Sequence, residues 1–170
     1  MKSVLLHLWL IASHIKYWIR FNKFIYERLP IIGRPIAMIL DRILLIIYGV
    51  DVTSQSIAVH DLRLPHPGGV LLGGNGIKSA GSVVVNAGVK FIARSPKDPE
   101  YLARHRTRSV YDLGSNIVIG TNTVVMGPVR ICDDVVIGAM SLVNKDIIEP
   151  GTYVGCPARK ISDVGAVDWF

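Results

Sequence analysis

A six-residue periodicity is the feature that most constrains the fold of this chain. An aliphatic residue recurs at every sixth position, at Ile119, Val125, Ile131, Ile137 and Val143. Four positions after each of them lies a second set of small or β-branched residues, namely Thr123, Val129, Val135, Ser141 and Ile147. An amphipathic helix would need a period near 3.6, and sandwich strands would alternate with a period of two. The repeat therefore predicts a hexapeptide β-helix, in which each hexad forms one short strand and a corner of a narrow prism.

The composition fits a single domain with an appendage. The chain has 170 residues, of which 50% are hydrophobic, and this is ample for a core. Its two cysteines, Cys132 and Cys156, have no ligand-like spacing. Neither a disulfide scaffold nor a cysteine-based zinc site is indicated, and we expect a reducing, cytoplasmic compartment. The net charge of +6 comes mainly from residues 1–50, in which Lys and Arg outnumber Glu27 and Asp41.

The sequence pattern of residues 1–50 predicts two helices. From Val4 to Ile25 the chain is apolar apart from a polar stripe at helical spacing, formed by Ser13, Lys16, Arg20, Lys23 and Glu27. Pro30 ends this helix, and a second helix runs from Arg34-Pro35 to about Tyr48. The uncharged run before Lys16 is shorter than the ~20 residues that cross a bilayer. No small-residue cleavage site of a signal peptide follows it.

Two compatible interpretations exist for what these helices contact. The helices pack against one another and against neighbouring subunits, or residues 1–28 lie in the plane of a membrane. In the second case Trp9, Trp18 and the basic edge would contact anionic headgroups at the inner face of the cytoplasmic membrane. Nucleic acid is not an expected partner, because no basic-aromatic platform or binding motif is visible.

Three stretches after residue 48 carry a family resemblance. They are Gly49–Val52, Leu64–Gly73 and the closing Gly155-Cys156-Pro157-Ala158-Arg159, which matches a G-x-P-A-R ending. Together they resemble the serine acetyltransferase family of hexapeptide acyltransferases, over about residues 40–162. The resemblance implies a mainly β fold, a left-handed parallel β-helix preceded by N-terminal α-helices. It also implies acetyl-coenzyme A as the acyl donor, no metal, and a homotrimer.

The spacing of Asp51 and His66 matches that of the family's catalytic Asp–His pair. The resemblance therefore implies that His66 is the general base and Asp51 its carboxylate partner. Transfer of an acetyl group to an alcohol requires removal of the hydroxyl proton, and a histidine near neutral pKa is suited to that step. A carboxylate on the other ring nitrogen fixes the tautomer and stabilises the imidazolium.

Other residues acquire roles by the same resemblance. Arg104 and His105 correspond to the pair that holds the carboxylate of the acceptor, and Ala158, Arg159 and Lys160 lie where the family handles coenzyme A. The period disappears in a cation-rich excursion, residues 93–114, in which Pro96 and Pro99 argue against a regular element. We expect it to lean over a site between subunits and to meet phosphates or an acidic sugar, or else to be a solvated loop. A metal site formed by His60, His66 and His105 is conceivable, but their spacing does not demand it.

Pro65 is the main departure from the family. Serine acetyltransferases have an aspartate at this place, which holds the amino group of serine, and a proline offers no acceptor. A sugar hydroxyl of a cell-surface polysaccharide, or of its precursor, is therefore the expected acceptor. Serine O-acetylation is the alternative within enzymes, and a catalytically silent scaffold is the alternative outside them. The expected organisation is a helical segment over residues 1–49, the β-helix over residues 50–162, and a tail over residues 163–170.

Overall fold

The structure, a computed structural model, describes residues 11–29, 31–95 and 97–166, with side chains from residue 14 onward. Its helices are α1 (Ile11–Arg28), α2 (Gly33–Tyr48) and α3 (Pro99–Arg106). The first strands are β1 (Asp51–Val52), β2 (Ile57–Arg63), β3 (Leu71–Gly73), β4 (Ile77–Val85), β5 (Lys90–Ala93), β6 (Tyr111–Leu113) and β7 (Ile117–Ile119). They are followed by β8 (Val124–Gly127), β9 (Val129–Ile131), β10 (Val135–Ile137), β11 (Leu142–Val143), β12 (Gly151–Val154) and β13 (Arg159–Ser162).

The strands stack in parallel on the three faces of a prism. The first face consists of β1, β3, β5, β8 and β11. The second face combines β6 and β9 with the first halves of β2 and β4, and the third combines β7, β10 and β12 with their second halves. Among the described strands, β13 alone runs antiparallel, against β12. The predicted fold, a left-handed parallel β-helix behind N-terminal helices, is confirmed.

The six-residue periodicity marks the inward positions. The five aliphatic residues that define it are at most 2% exposed, and the five residues four places later are all buried. Two members of the second set are polar, and both have hydrogen-bond partners: Thr123 Oγ1 donates to Gly138 O at 3.0 Å, and Ser141 Oγ accepts from Gly155 N at 3.1 Å. Buried polar groups are tolerated when they are paired in this way.

The helices α1 and α2 cover the open first coil of the prism. Ile15 and Ile19 of α1 and Leu44 of α2 are buried in the same core cluster as Val52 and Ile57 of the first coil. Without such a cover, the apolar interior of the first coil would face water. Burying it contributes roughly 25 cal/mol for each Å² of apolar surface.

A buried polar network fixes the two helices to the turn that follows β1. The carboxylate of Asp41 on α2 accepts from the amide of Ser54 at 3.0 Å, from the hydroxyl of Ser54 at 2.5 Å and from Asn22 Nδ2 of α1 at 2.6 Å. Burial raises the pKa of the Asp41 carboxyl, and the hydrogen bonds from Ser54 and Asn22 counteract this effect. The network specifies one orientation of the helical cover, because each buried donor requires its acceptor.

The basic stripe of α1 faces β2, the edge strand of the first coil. Lys16 forms an ion pair with Asp61, Arg20 Nη2 donates to His60 O at 2.6 Å, and Lys23 Nζ donates to Ile57 O at 3.1 Å. Cations that occupy the carbonyls of an edge strand protect it from pairing with another chain. This arrangement supports the packing interpretation of α1.

The membrane interpretation is not decided by these contacts. Among the described residues, no helix combines the length and apolar character needed to cross a bilayer. Trp9 and the other residues before Ile11 lie outside the described part of the chain. Peripheral contact through residues 1–28 stays a prediction.

The excursion from the prism is shorter and more regular than the sequence predicts. Tyr111–Leu113 form β6 in the third coil, so the chain leaves the prism only over residues 94–110. Pro99 does not prevent a regular element but begins α3, with Asp98 accepting from the Glu100 amide at 2.9 Å. Proline is compatible with the first position of a helix, where its missing N–H is not needed.

The Asp61 ion pairs make the attachment of α1 sensitive to acid. Burial by itself would raise the pKa of the Asp61 carboxyl, but hydrogen bonds from Lys16, Arg63 and Ser82 lower it to about 2. Because the pKa in the unfolded chain is about 4, these contacts stabilise the fold above pH ~4, and the stabilisation is lost as the pH falls from about 4 to 2.

We predict that Asp61→Asn lowers the free energy of unfolding at pH 7 by on the order of 1 kcal/mol. Its loss of stability between pH 5 and pH 2 should also be smaller than that of the wild type. Denaturant unfolding at several pH values measures both effects. The control is Asp112→Asn, which removes only exposed pairs with Lys78 and Arg130. Identical acid dependence of Asp61→Asn and the wild type would contradict the prediction.

Candidate functional site

The structure brings Asp51 and His66 to one corner of the prism. Asp51 begins β1, and its amide donates to Val70 O at 2.9 Å, one coil further along. The turn that carries His66 closes with Val70 N donating to Pro67 O at 3.1 Å. His66 is exposed and Asp51 is half-buried. Within the described residues, the side chains of Asp51 and His66 form no hydrogen bond with each other. Their roles as carboxylate partner and general base stay predictions.

Arg104 lies on α3 with an unusual guanidinium environment. Its Nη2 donates to Glu100 Oε1 at 2.5 Å, and its side chain is only 16% exposed. Its Nη1 is buried and has no hydrogen-bond partner among the described residues. A buried donor without a partner costs about 1–3 kcal/mol. Because guanidinium binds carboxylates in a bidentate manner, an anionic ligand would relieve that cost.

The corner that carries α3 differs from the corner that carries His66. Tyr101 Oη donates to Asn75 Oδ1 at 2.8 Å, which places α3 beside the turn after β3. The imidazole of His105 is exposed, and its centroid lies 5.4 Å from that of Tyr101. His66 lies in the turn before β3. Within one chain, β3 therefore separates Arg104 and His105 from His66.

Ala158, Arg159 and Lys160 lie at the last coil. The amide of Ala158 donates to Leu142 O at 2.8 Å, and Arg159 begins β13. Hydrogen bonds from Lys160 to Asp163 at 2.8 Å and to Glu149 at 3.1 Å raise the pKa of the Lys160 ammonium to about 12. Lys160 is thus engaged by carboxylates, whereas the Arg159 side chain is exposed.

His66 and Ala158 lie along the same edge of the prism. On the first face, successive coils carry Leu71, Lys90, Val124, Leu142 and finally Ala158. At a strand spacing of ~4.8 Å, the four steps from Leu71 to Ala158 amount to ~19 Å. A long, extended ligand on this edge would reach from the turn with His66 to Ala158.

Two further observations concern ligands of the site. Within the described residues, no group of three or more His, Cys, Asp or Glu side chains could hold a metal ion. Asp61 is the carboxylate nearest to Pro65 in sequence, and it is engaged by Lys16, Arg63 and Ser82. Asp61 is therefore not available to hold a substrate ammonium.

Comparison with known proteins finds similarity to serine acetyltransferases. No family model matches the chain. A curated serine acetyltransferase of Synechococcus elongatus is 26% identical over 152 residues, which cover 89% of this chain and 55% of the relative. A serine acetyltransferase of Neisseria gonorrhoeae in complex with serine has a TM-score of 0.72 at 24% identity, over 89% of this chain and 57% of that one. A serine acetyltransferase of Brucella abortus in complex with coenzyme A has a TM-score of 0.77 at 19% identity, over 93% and 58%.

The chain is similar in sequence to the curated serine acetyltransferase and similar in fold to the two solved structures. It spans a little over half the length of the curated relative that it matches. The expectation of a saccharide acceptor is wrong, because that relative is a serine acetyltransferase, which supports the alternative of serine O-acetylation. The inference from Pro65 assumed that an ammonium partner must come from this one position, although a carboxylate on another element or another copy can supply it.

Sequence inspection misses the contacts that hold α3. Asn75 and Tyr101 stand in no motif, and they are 26 positions apart. The one available signal was a tyrosine in an excursion rich in charged residues. The structure buries that side chain to 8% exposure.

We predict that Arg104→Met leaves the free energy of unfolding unchanged or increases it by about 1 kcal/mol. The substitution removes an unpartnered buried N–H, and it loses only a surface i,i+4 pair that contributes about 0.5 kcal/mol or less. The matched control is Arg108→Met, which should destabilise because Arg108 Nη1 donates to Gln55 O at 2.8 Å. Denaturant unfolding of both variants checks the order. A larger loss for Arg104→Met would mean that Arg104 serves the fold.

Proposed function

We propose that the protein is an acyltransferase that transfers the acetyl group of acetyl-coenzyme A to the hydroxyl of serine. The observation that carries the proposal is the match of 89% of the chain to a curated serine acetyltransferase. The position of Asp51 and His66 at one corner of the prism supports it. A silent scaffold would not need these two residues at that corner.

His66 acts as the general base in this proposal. Its unprotonated ring nitrogen takes the serine hydroxyl proton as the oxygen attacks the thioester carbonyl carbon. The carbon–sulfur bond then breaks, and the coenzyme A thiolate leaves and recovers that proton. Asp51 holds the opposite ring nitrogen and stabilises the imidazolium. No cysteine nucleophile is required, so the acetyl group moves in one displacement.

Arg104 and His105 bind the acceptor carboxylate, and Ala158 and Arg159 contact coenzyme A. The unpartnered Nη1 of Arg104 supports the first assignment, because a carboxylate would satisfy it. The edge shared by His66 and Ala158 supports the second, because an extended thioester can lie along it. Lys160, also expected at the coenzyme, contributes positive charge while it is held by Glu149 and Asp163.

We predict that serine-dependent thiol release falls by roughly 10²–10⁴ in His66→Ala, the range for loss of a general base. Asp51→Asn should lose a similar amount or less. The wild type must release thiol from acetyl-coenzyme A in a saturable, serine-dependent manner. His60→Ala is the control, since His60 is an exposed histidine at another corner. Wild-type turnover in a folded His66→Ala variant would contradict the role of His66 as general base. A wild type that is inert toward serine would contradict serine as the acceptor.

We further propose that the protein is a homotrimer with sites between copies. Within one chain β3 separates His66 from Arg104, so a neighbouring copy would have to bring α3 to the His66 corner. Exposed apolar side chains on the helical cover, such as Phe21 (58% exposed) and Ile46 (81%), also indicate a surface that is covered in an assembly.

Light scattering should give three times the chain mass of 18.7 kDa. Mixing equal amounts of unfolded His66→Ala and Arg104→Gln chains and refolding them together should restore about a quarter of the sites, because a site between two copies combines their intact residues. A site within one chain would recover nothing from the same mixture. Separate refolding of each variant, followed by mixing, is the control.

A further inference from the structure

Three side-chain hydrogen bonds attach the described part of the excursion to the prism, beside backbone bonds at its ends from Arg94 N to Gly127 O at 2.7 Å and from Val129 N to Val110 O at 3.0 Å. At its ends, Arg94 Nη2 donates to Asn144 O at 2.5 Å, and Arg108 Nη1 donates to Gln55 O at 2.8 Å. Both arginines are exposed, so water competes with these two contacts more than with a shielded one. The third contact, from Tyr101 Oη to Asn75 Oδ1 at 2.8 Å, lies in the middle of α3 and is mostly shielded from water. Tyr101 is 8% exposed. Of these three contacts, the Tyr101–Asn75 hydrogen bond is the one that comes from α3 itself and the one that involves a buried side chain.

Tyr101 is placed to control the two residues that follow it by one helical turn. Arg104 and His105 are at i+3 and i+4 from Tyr101, so they share its side of α3. The Tyr101 ring lies 5.4 Å from the His105 ring, at an angle of 34°. The remaining support of Arg104 is a surface pair with Glu100 on the same helix. That pair cannot fix the position of α3 relative to the prism.

The prism side of the contact is equally constrained. Asn75 lies in the turn between β3 and β4, and the next residue, Gly76, has a φ of 91°. A Cβ on Gly76 would lie 2.2 Å from the carbonyl carbon of Arg108. Glycine is needed here both for the backbone conformation and for the approach of the excursion. The turn thus accommodates the excursion closely, which holds Asn75 in register with Tyr101.

We propose that Tyr101 and Asn75 form a latch that positions Arg104 and His105 for the acceptor. The inference rests on the proposed function. Tyr101 is a positioning residue: its hydroxyl holds α3 and does not touch the reacting atoms. Since coenzyme A would lie on the edge with His66 and Ala158, the latch acts on acceptor binding and leaves the donor unaffected.

The test is Tyr101→Phe, which removes the hydrogen bond and keeps the packed ring. We expect the KM for serine to rise roughly threefold to tenfold, in line with loss of one neutral hydrogen bond. The KM for acetyl-coenzyme A should not change. The matched control is Tyr153→Phe, which removes a Tyr hydroxyl that donates to Glu149 O at 2.9 Å at the far end of the prism.

A second readout does not depend on any substrate. Tryptic cleavage after Arg104 and Arg106 should accelerate in Tyr101→Phe and not in Tyr153→Phe, because α3 must detach before a protease can cut it. Asn75→Ser should reproduce both effects. The double variant should be no worse than either single one, since both remove the same hydrogen bond. If Tyr101→Phe fails to fold, the KM for serine and the cleavage rate of Asn75→Ser test the latch in its place.

The outcomes separate the latch from the proposed function. Equal rises in both KM values, or unchanged cleavage in α3, would overturn the latch. If the wild type shows no serine turnover, the acceptor assignment fails, while the cleavage rates still decide whether the hydrogen bond holds α3. Additive effects of the two substitutions would mean that Tyr101 and Asn75 do not act together.

Discussion

The stacking of parallel coils is the constraint on which this structure depends. Each coil forms backbone hydrogen bonds to the coils before and after it, so inward side chains lie above one another at ~4.8 Å spacing. A residue too large or too polar at one level would disturb its neighbours on both sides. This is why the positions from Ile119 to Val143 repeat so strictly, and why Thr123 and Ser141 are acceptable only with their hydrogen bonds to Gly138 and Gly155.

A stacked prism has an open end, and the helical cover exists to close it. The first coil has no coil before it, so its apolar interior and the carbonyls of β2 would otherwise face water. Ile15, Ile19 and Leu44 cover the interior, while Lys16, Arg20 and Lys23 occupy the edge of β2. Three of the cations that the membrane interpretation assigns to headgroups therefore also contact β2 within the chain. The apolar side chains left exposed on the opposite side, including Phe21 and Ile46, remain available to a partner.

Two corners of the prism carry the candidate base and the candidate acceptor residues. Corners tolerate insertions because the stacked strands on either side hold the chain in register. The turn with His66 lies at one corner, and the excursion with Arg104 lies at another. In the proposed trimer, an active site with both residues combines different copies. The unpartnered guanidinium nitrogen of Arg104 fits the proposed acceptor site, since a carboxylate would supply the acceptor that it lacks among the described residues.

The sequence by itself determined the fold, because the period of six and the spacing of the inward residues are local properties of a repeating backbone. It also indicated the Asp51–His66 pair, through a fifteen-residue separation that matches the catalytic pair of the family it resembles. It could not determine the acceptor, since Pro65 is one position and an acceptor site draws carboxylates from several elements. Nor could it show that Lys16 and Lys160 are engaged by carboxylates, or that Tyr101 meets Asn75. Those contacts join residues far apart in the chain, and only the packing of α1, α3 and the last coil against the prism brings them within hydrogen-bond distance.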